Sequence, residues 1–397
     1  MKKKQLFLLV LCLSGIFSTF CFGTIRRVGF TSVPKVTGVD YGTFYEAHQA
    51  AIQGDTIYLW PGVNLLNGWP NLGCCAYTPI SKRLVIISKG NWTDPNSQGN
   101  PGIQVTTSTA TIGRGLIFTL GSEGSVLMGF NAEYVPVSVQ ANNITLKGNR
   151  NIVVDLSDRS INNTLIEGNY RVSFTGNDNQ NNTWNNLIIR NNFIGSLRLP
   201  NKRYSGIIEN NTWAHDNTSN ASNGGGEVMS TILNGCCTRM DIILWDGAWL
   251  FRNNLIISNM DVGANGPSSY LNIQFTANGT FNDNVALSST NVTQWPVTGI
   301  GNVFVPYSQV ANIFEAFPVI APSSADSRYR LKTNSPAKAG SVLRPNATVD
   351  AGMYGGNTPY KLGMIPSIPT IYQLQSLQGN SPTGNTMTIK VSTRSNN

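Results

Sequence analysis

The chain has 397 residues, 41% hydrophobic and only 12% charged, with 28 Lys and Arg against 20 Asp and Glu. That apolar content excludes a disordered chain, which cannot bury enough surface to offset its conformational entropy. The net charge of +8 is spread without a long Lys/Arg block, which excludes a nucleic-acid footprint.

Residues 1–23 read as a secretory signal peptide. Lys2, Lys3 and Lys4 precede an unbroken apolar run over 6–13, and the small residues Cys21 and Gly23 place the cut after Gly23. The run is too short to span a bilayer, and no later segment reaches 18 consecutive apolar residues. A lipoprotein would be anchored through Cys21, but bulky Phe20 sits directly before it. Loss of the leader leaves 25 basic against 20 acidic residues. The mature chain is expected to be soluble and exported to the periplasm, the cell surface or the medium, with no membrane span.

Residues 43–51 have helical spacing, and Gly54-Asp55 then leads into an apolar strand over 56–60. A helix and first strand over about 40–62 would plug the end of a solenoid, whose open strands need cover. Two adjacent Cys pairs follow in similar settings, Cys74-Cys75 after Asn71-Leu72-Gly73 and Cys236-Cys237 after Leu233-Asn234-Gly235. In an oxidising compartment they are disulfide candidates. Neighbouring Cys residues strain a bridge within a pair, which favours a cross-link between the two loops. A four-thiolate zinc site is the alternative, although the usual two-residue gap is missing.

From residue 143 onward one phrase recurs: apolar, polar, then Gly or Asn, then Asn. It occurs as Leu146-Lys147-Gly148-Asn149, Ile166-Glu167-Gly168-Asn169, Ile189-Arg190-Asn191-Asn192, Ile208-Glu209-Asn210-Asn211 and Phe251-Arg252-Asn253-Asn254. Weaker copies end at Asn284 and Asn302, and the final Asn residues step by 20, 23, 19, 43, 30 and 18. The 43-residue step reads as two coils and the 30-residue step as one coil with a long loop. Each Asn follows a short strand, so the period predicts an all-β fold, a right-handed parallel β-helix solenoid with three strands per coil. Coils stack at about 4.8 Å, so Asn149, Asn169, Asn192, Asn211, Asn254, Asn284 and Asn302 should form one column. Asn tolerates the left-handed backbone of a sharp corner, and stacked amides bond their neighbours. This accounts for a chain with 47 Asn. Leucine-rich repeats would need Leu at fixed positions, and a propeller would need a period near 40.

Sites for chemistry are sparse. The only histidines are His48 and His215, which nearly excludes a Ser-His-Asp triad, and His48 sits in the expected cap helix. Gly224-Gly225-Gly226 lacks the Lys-Ser/Thr of a phosphate loop. The richest stretch is the excursion over 213–249, with Trp213, His215, Asp216, Glu227, Arg239, Asp241, Trp245, Asp246 and Trp249. Exposed Trp213, Trp245 and Trp249 would stack on sugar faces. Asp216, Glu227, Asp241 and Asp246, with Arg239 beside them, are the candidates for a catalytic pair, since glycoside hydrolysis needs two carboxylates across the bond. The plainer reading packs these Trp rings inside the loop and turns the acids to water.

The chain closes with Tyr329-Arg330-Leu331-Lys332-Thr333-Asn334-Ser335-Pro336-Ala337, then Gly340 and Asp350-Ala351-Gly352. Beyond residue 360 the composition shifts. Ile365-Pro366-Ser367-Ile368-Pro369 is a stiff linker, and two apolar segments around a turn-rich stretch over 379–385 predict a C-terminal β-hairpin tail within 361–397. The solenoid domain then covers 24–360, with coils over about 80–350.

The Ala-Ala-x-x-Gly-Asp-Thr-Ile-Tyr core at 50–58, its Pro-Gly finish and the closing segment resemble the ends of pectate-lyase-like β-helix proteins. Lys82-Arg83-Leu84-Val85-Ile86-Ile87, Gly121-Ser122-Glu123-Gly124-Ser125 and the stretch over 354–360 are similar to a narrower group of exported bacterial β-helix proteins. The resemblance implies the fold and the compartment. Its polysaccharide lyases use acidic ligands for calcium and an Arg or Lys as base. Asp158 and Asp178, each nine residues after its corner Asn, are the calcium candidates, although turn Asp residues bonding their own backbone explain them as well. No catalytic motif of the family carries over residue by residue, and fold alone does not set activity. The expected function is a glycan-binding or cell-surface scaffold with a polysaccharide partner and no required cofactor. A secreted polysaccharide lyase or glycoside hydrolase working in a groove on the coil side is the alternative.

Overall fold

The structure, a computed structural model, describes residues 23–29, 38–60, 63, 65, 77–88, 115–131, 136–156, 159–175, 182–199, 204–215, 240–244, 248–258, 271–275, 279–288, 299–315, 327–361, 370–376 and 389–394. The chain winds as a parallel β-helix. One stack, called sheet A here, runs from Ile25–Val28 through Thr56–Leu59, Val85–Ser88, Val126–Met128, Thr145–Lys147, Leu165–Glu167, Trp184–Arg190, Tyr204–Glu209 and Ala248–Arg252 to Thr280–Asn282. The other, sheet B, runs from Thr78–Ile80 to Val303–Pro306. Two long sheets therefore carry the fold. Shorter pairings join Ile161–Asn162 to Trp184–Asn185, and Met240–Leu244 to Leu197–Leu199 and Leu271–Phe275.

Sheet A shows the period-two signature of a strand with one face inward. Leu127, Leu146, Ile166, Ile189, Ile208, Phe251 and Phe281 are fully buried or nearly so and share one register. Between the sheets lies a sharp corner. Gly129, Gly148, Gly168, Asn191, Asn210, Asn253, Asp283 and Gly301 all have positive φ there, a conformation that only Gly, Asn and Asp reach at low strain.

The residue after each corner enters the interior as a ladder rung. Asn149 Oδ1 accepts from the Phe130 amide, and Asn169 Oδ1 accepts from both the amide and Nδ2 of Asn149, at 2.8 and 3.0 Å. The pattern repeats through Asn192, Asn211, Asn254 and Asn284 to Asn302. Each Nδ2 also reaches a carbonyl of the previous coil, such as Leu146 O from Asn169. Asn211 bonds Asn254 directly, and Tyr204–Glu209 pairs with Ala248–Arg252. The 43-residue step is therefore one coil with a long excursion, not two coils, because strand pairing skips the insertion.

Two additions complete the solenoid. The N-terminal helix Phe44–Ala50 starts on a Thr43/Glu46 capping box and buries Phe44, Ala47 and His48. Lys82 Nζ closes its other end by donating to the carbonyls of His48, Gln49 and Ala51. The first strand of the stack is Ile25–Val28 rather than the strand after the helix; Arg26-Arg27 masks its apolar signal. At the far end, the helix Val310–Ile313 is followed by a bridge between Phe314 and Leu331.

Residues 335–360 then run back along the corner as a strap. Arg344 donates to Asn253 Oδ1 and Asp283 O, Asn210 Nδ2 donates to Asp350 O, and Asn191 Nδ2 donates to the carbonyls of Met353 and Gly355. Tyr329, Ala337, Ala351, Met353 and Tyr360 cover the outer apolar face of sheet B, formed by Tyr170, Phe193, Leu255, Ile257, Val285 and Leu287. The tail strands Thr370–Ser376 and Ile389–Arg394 pair antiparallel with each other as a separate hairpin.

Candidate functional site

The outer face of sheet A presents three parallel rows. The central row is apolar and partly exposed: Val126, Thr145, Leu165, Ile188, Ile207, Leu250 and Thr280 occupy one register position in successive coils. Neighbouring rows differ sharply in chemistry.

Toward the corner stands a charge ladder, Lys147, Glu167, Arg190, Glu209 and Arg252, alternating in sign along the axis. Lys147 Nζ lies 2.6 Å from Glu167 Oε1, and Arg190 donates from Nε to Glu167 Oε2 at 2.6 Å. Arg252 grips Glu209 through Nε and Nη2 at 2.8 and 2.7 Å. Glu167 is almost fully buried. Burial alone would raise its pKa, but Lys147 and Arg190 outweigh it and hold the carboxyl below the usual range. Alternation of sign penalises a slip of one coil, which would set like charges face to face.

On the opposite side, amides form a double row. Asn163 Nδ2 donates to Asn143 Oδ1 at 3.0 Å and Asn186 Nδ2 to Asn163 Oδ1 at 2.8 Å, all in exposed positions. A parallel set joins Asn142, Asn162 and Asn185. Asn143, Asn163 and Asn186 have φ of 60°, 57° and 55°, so a second Asn corner explains the row. The face therefore offers apolar surface along its middle and amide or charged hydrogen-bonding groups on both flanks.

The residues singled out in the sequence fall elsewhere. Trp213 is fully buried, tilted against Phe251 at 6.1 Å, and its Nε1 donates to Asn254 Oδ1 at 3.4 Å. Trp249 is 3% exposed in the same interior. Neither presents a ring face to solvent, which corrects the reading of both as sugar platforms; the coil interior takes them because they occupy inward register positions. Asp241 lies in the strand Met240–Leu244, paired with Asn272. Asp216, Glu227, Arg239, Trp245 and Asp246 lie outside the described residues, as do Asp158, Asp178, Cys74, Cys75, Cys236 and Cys237. Of the four acids expected to supply a catalytic pair, only Asp241 lies among the described residues. Among the described residues no three His, Cys, Asp or Glu side chains are grouped to hold a metal ion, and no helix is long and apolar enough to cross a membrane.

No protein-family model matches the chain, and no curated protein matches it. The three-row face escaped the sequence reading although a signal was present. Leu187-Ile188-Ile189 and Ile207-Ile208 place apolar residues on both faces of a strand, and such runs mark an outer face that is itself apolar.

Proposed function

We propose that the chain is an exported β-helix protein of the pectate-lyase-like kind that binds a polysaccharide along the outer face of sheet A. It acts there as a glycan-binding or cell-surface scaffold. The observation that carries this reading is the apolar row from Leu165 to Leu250 flanked by the exposed amides of Asn163 and Asn186 and by the Arg190 and Glu209 charges. Pyranose rings offer apolar C–H faces and equatorial hydroxyls, so they match a surface that is apolar along its centre and hydrogen-bonding along its edges. Coil spacing of about 4.8 Å gives roughly 9.6 Å per two coils, comparable with a disaccharide repeat, so one pattern of contacts serves successive units. Affinity then comes from repetition along the axis.

Co-sedimentation with neutral and acidic polysaccharides, with and without calcium, tests the reading. Ile188→Asp with Asn186→Ala should lower retention of the bound polysaccharide about tenfold while leaving the thermal midpoint within a few degrees. Retention unchanged by the pair would remove the face from the proposal. Release of unsaturated or reducing ends in the same incubations would move the assignment to the lyase or hydrolase alternative.

A further inference from the structure

The first described residues meet a carboxylate that is fully buried. Asp55 Oδ1 accepts from the Thr24 amide at 2.7 Å, while Oδ2 accepts from Arg26 Nε at 2.7 Å and from the Ile52 amide at 3.0 Å. One oxygen thus faces a guanidinium and the other faces only neutral N–H. Thr24 itself is exposed, and its carbonyl accepts from the Thr56 amide at 3.0 Å, opening the parallel pairing of the first two strands. At Gly23 a Cβ would lie 2.0 Å from the Gly54 carbonyl oxygen, a backbone atom that cannot swing aside. Before the cut only Gly fits there, and Gly is also a small residue of the kind a leader-cleaving peptidase requires before its cut.

We propose that the Gly23–Thr24 peptide bond is hydrolysed and that the α-ammonium released on Thr24 forms an ion pair with Asp55, so that processing completes the N-terminal cap. Water adds across the amide: Gly23 leaves with a carboxylate, and the Thr24 nitrogen becomes an ammonium at the position where its amide already bonds Asp55. The pair exchanges a neutral donor for a charge-assisted one at a carboxylate removed from solvent. Arg26 is held in place by a second bond, from Nη1 to the Tyr41 hydroxyl at 2.6 Å, so the cluster is built before the ammonium arrives. The geometry also selects the bond. A cut one residue earlier would put the charge on Gly23 and leave the Thr24 amide that bonds Asp55 neutral, and a cut one residue later would delete the partner of the Thr56 amide.

This inference rests on the export reading, and its test separates the two. The full chain is expressed in an exporting bacterium, recovered from the exported fraction and sequenced from its N-terminus; Thr24 is the expected first residue. The α-amine of the folded protein is then acylated with acetic anhydride at about pH 7, alongside protein unfolded in urea, and the N-terminal peptide is quantified by mass spectrometry. Pairing with Asp55 raises the amine's pKa by at least about one unit, so folded protein should react at least about tenfold more slowly than unfolded. Asp55→Asn should abolish that difference; if this variant does not fold, the folded-to-unfolded ratio of the unmodified protein decides alone. A chain retained uncut in the cytoplasm would overturn both readings, and an uncut chain in the exported fraction would overturn this one. A cut at another bond would leave export standing and overturn this one, as would a Thr24 amine equally reactive in both states.

Discussion

Replacing Asn192 with Ala tests the physical account of the ladder at its centre. Asn192 Oδ1 accepts from the amide and Nδ2 of Asn169, both at 2.9 Å, and its Nδ2 donates to Ile166 O, Arg190 O and Asn211 Oδ1 at 2.9, 2.9 and 3.0 Å. The truncation removes all five. Asn169 Nδ2 keeps Leu146 O, and Asn211 Oδ1 keeps the Asn192 amide, so those two groups retain partners. The Asn169 amide loses its ladder acceptor in a site with no solvent exposure. A buried donor left unsatisfied costs about 1–3 kcal/mol, and with the lost carbonyl bonds and side-chain volume the total is roughly 3–5 kcal/mol. A chain of this length shifts its midpoint by roughly 1–2 °C per kcal/mol, so far-ultraviolet circular dichroism should show a fall of roughly 3–10 °C. Asn185→Ala, which breaks the exposed bond from Asn185 Nδ2 to Asn162 Oδ1 at a position without positive φ, is the internal control and should cost below about 1 kcal/mol. If the two substitutions shift the midpoint equally, buried amide stacking is not what holds the corner.

Two further predictions address the ends of the solenoid. Burial, with Lys82 adding a smaller like-charge effect, lowers the His48 pKa to about 4, against an ordinary value near 6.5. The unfolded chain therefore takes up this proton first. Stability from neutral His48 is complete above about pH 6.5, falls by roughly 3 kcal/mol as the pH drops, and levels off below about 4. His48→Gln should flatten that slope in denaturant titrations over this window, and an unchanged slope would show that His48 is not its source. Arg344, 2% exposed, donates to Ala337 O, Val349 O, Asn253 Oδ1 and Asp283 O. Arg344→Ala should raise hydrogen exchange at the amides of Ala351, Gly352 and Met353 at least about tenfold while the Asn169 and Asn211 amides stay protected. Equal acceleration at both would mean that strap and coils unfold as one unit.

Much of this architecture was legible because a tight corner leaves few residue types to choose from. Gly or Asn at the positive-φ position, followed by an inward Asn, is a demand of the backbone, so it surfaces in the sequence as a fixed phrase. Coil number was harder. A period of 43 fits two coils or one coil with an insertion equally well, and only pairing between Tyr204–Glu209 and Ala248–Arg252 separates them. The interior place of Trp213 is legible in its register. Counting two residues past Asn192, Asn211, Asn254 and Asn284 gives Ile194, Trp213, Ile256 and Ala286, all buried. Trp213 belongs to that column, although its neighbours in sequence are of catalytic type.

The strap was invisible for a different reason. Its residues are irregular, and their role depends on contacts with coils more than a hundred positions away, such as Met353 with Thr212 and Asn191. A trace of the need for it was nonetheless present. Leu255-Ile256-Ile257 and Val285-Ala286-Leu287 are apolar on both faces, and a strand of that kind must be covered twice. The coil interior covers one face of sheet B, and Tyr329, Ala337, Ala351, Met353 and Tyr360 cover the other. Sheet A repeats the pattern more weakly at Leu165, Ile188, Ile207 and Leu250, where the outer row stays partly exposed. Burying that row further against a ligand would gain on the order of 25 cal/mol for each Å² of apolar surface removed from water. The same physics that recruits the strap over sheet B thus leaves on sheet A a half-exposed apolar row whose further burial would be favourable.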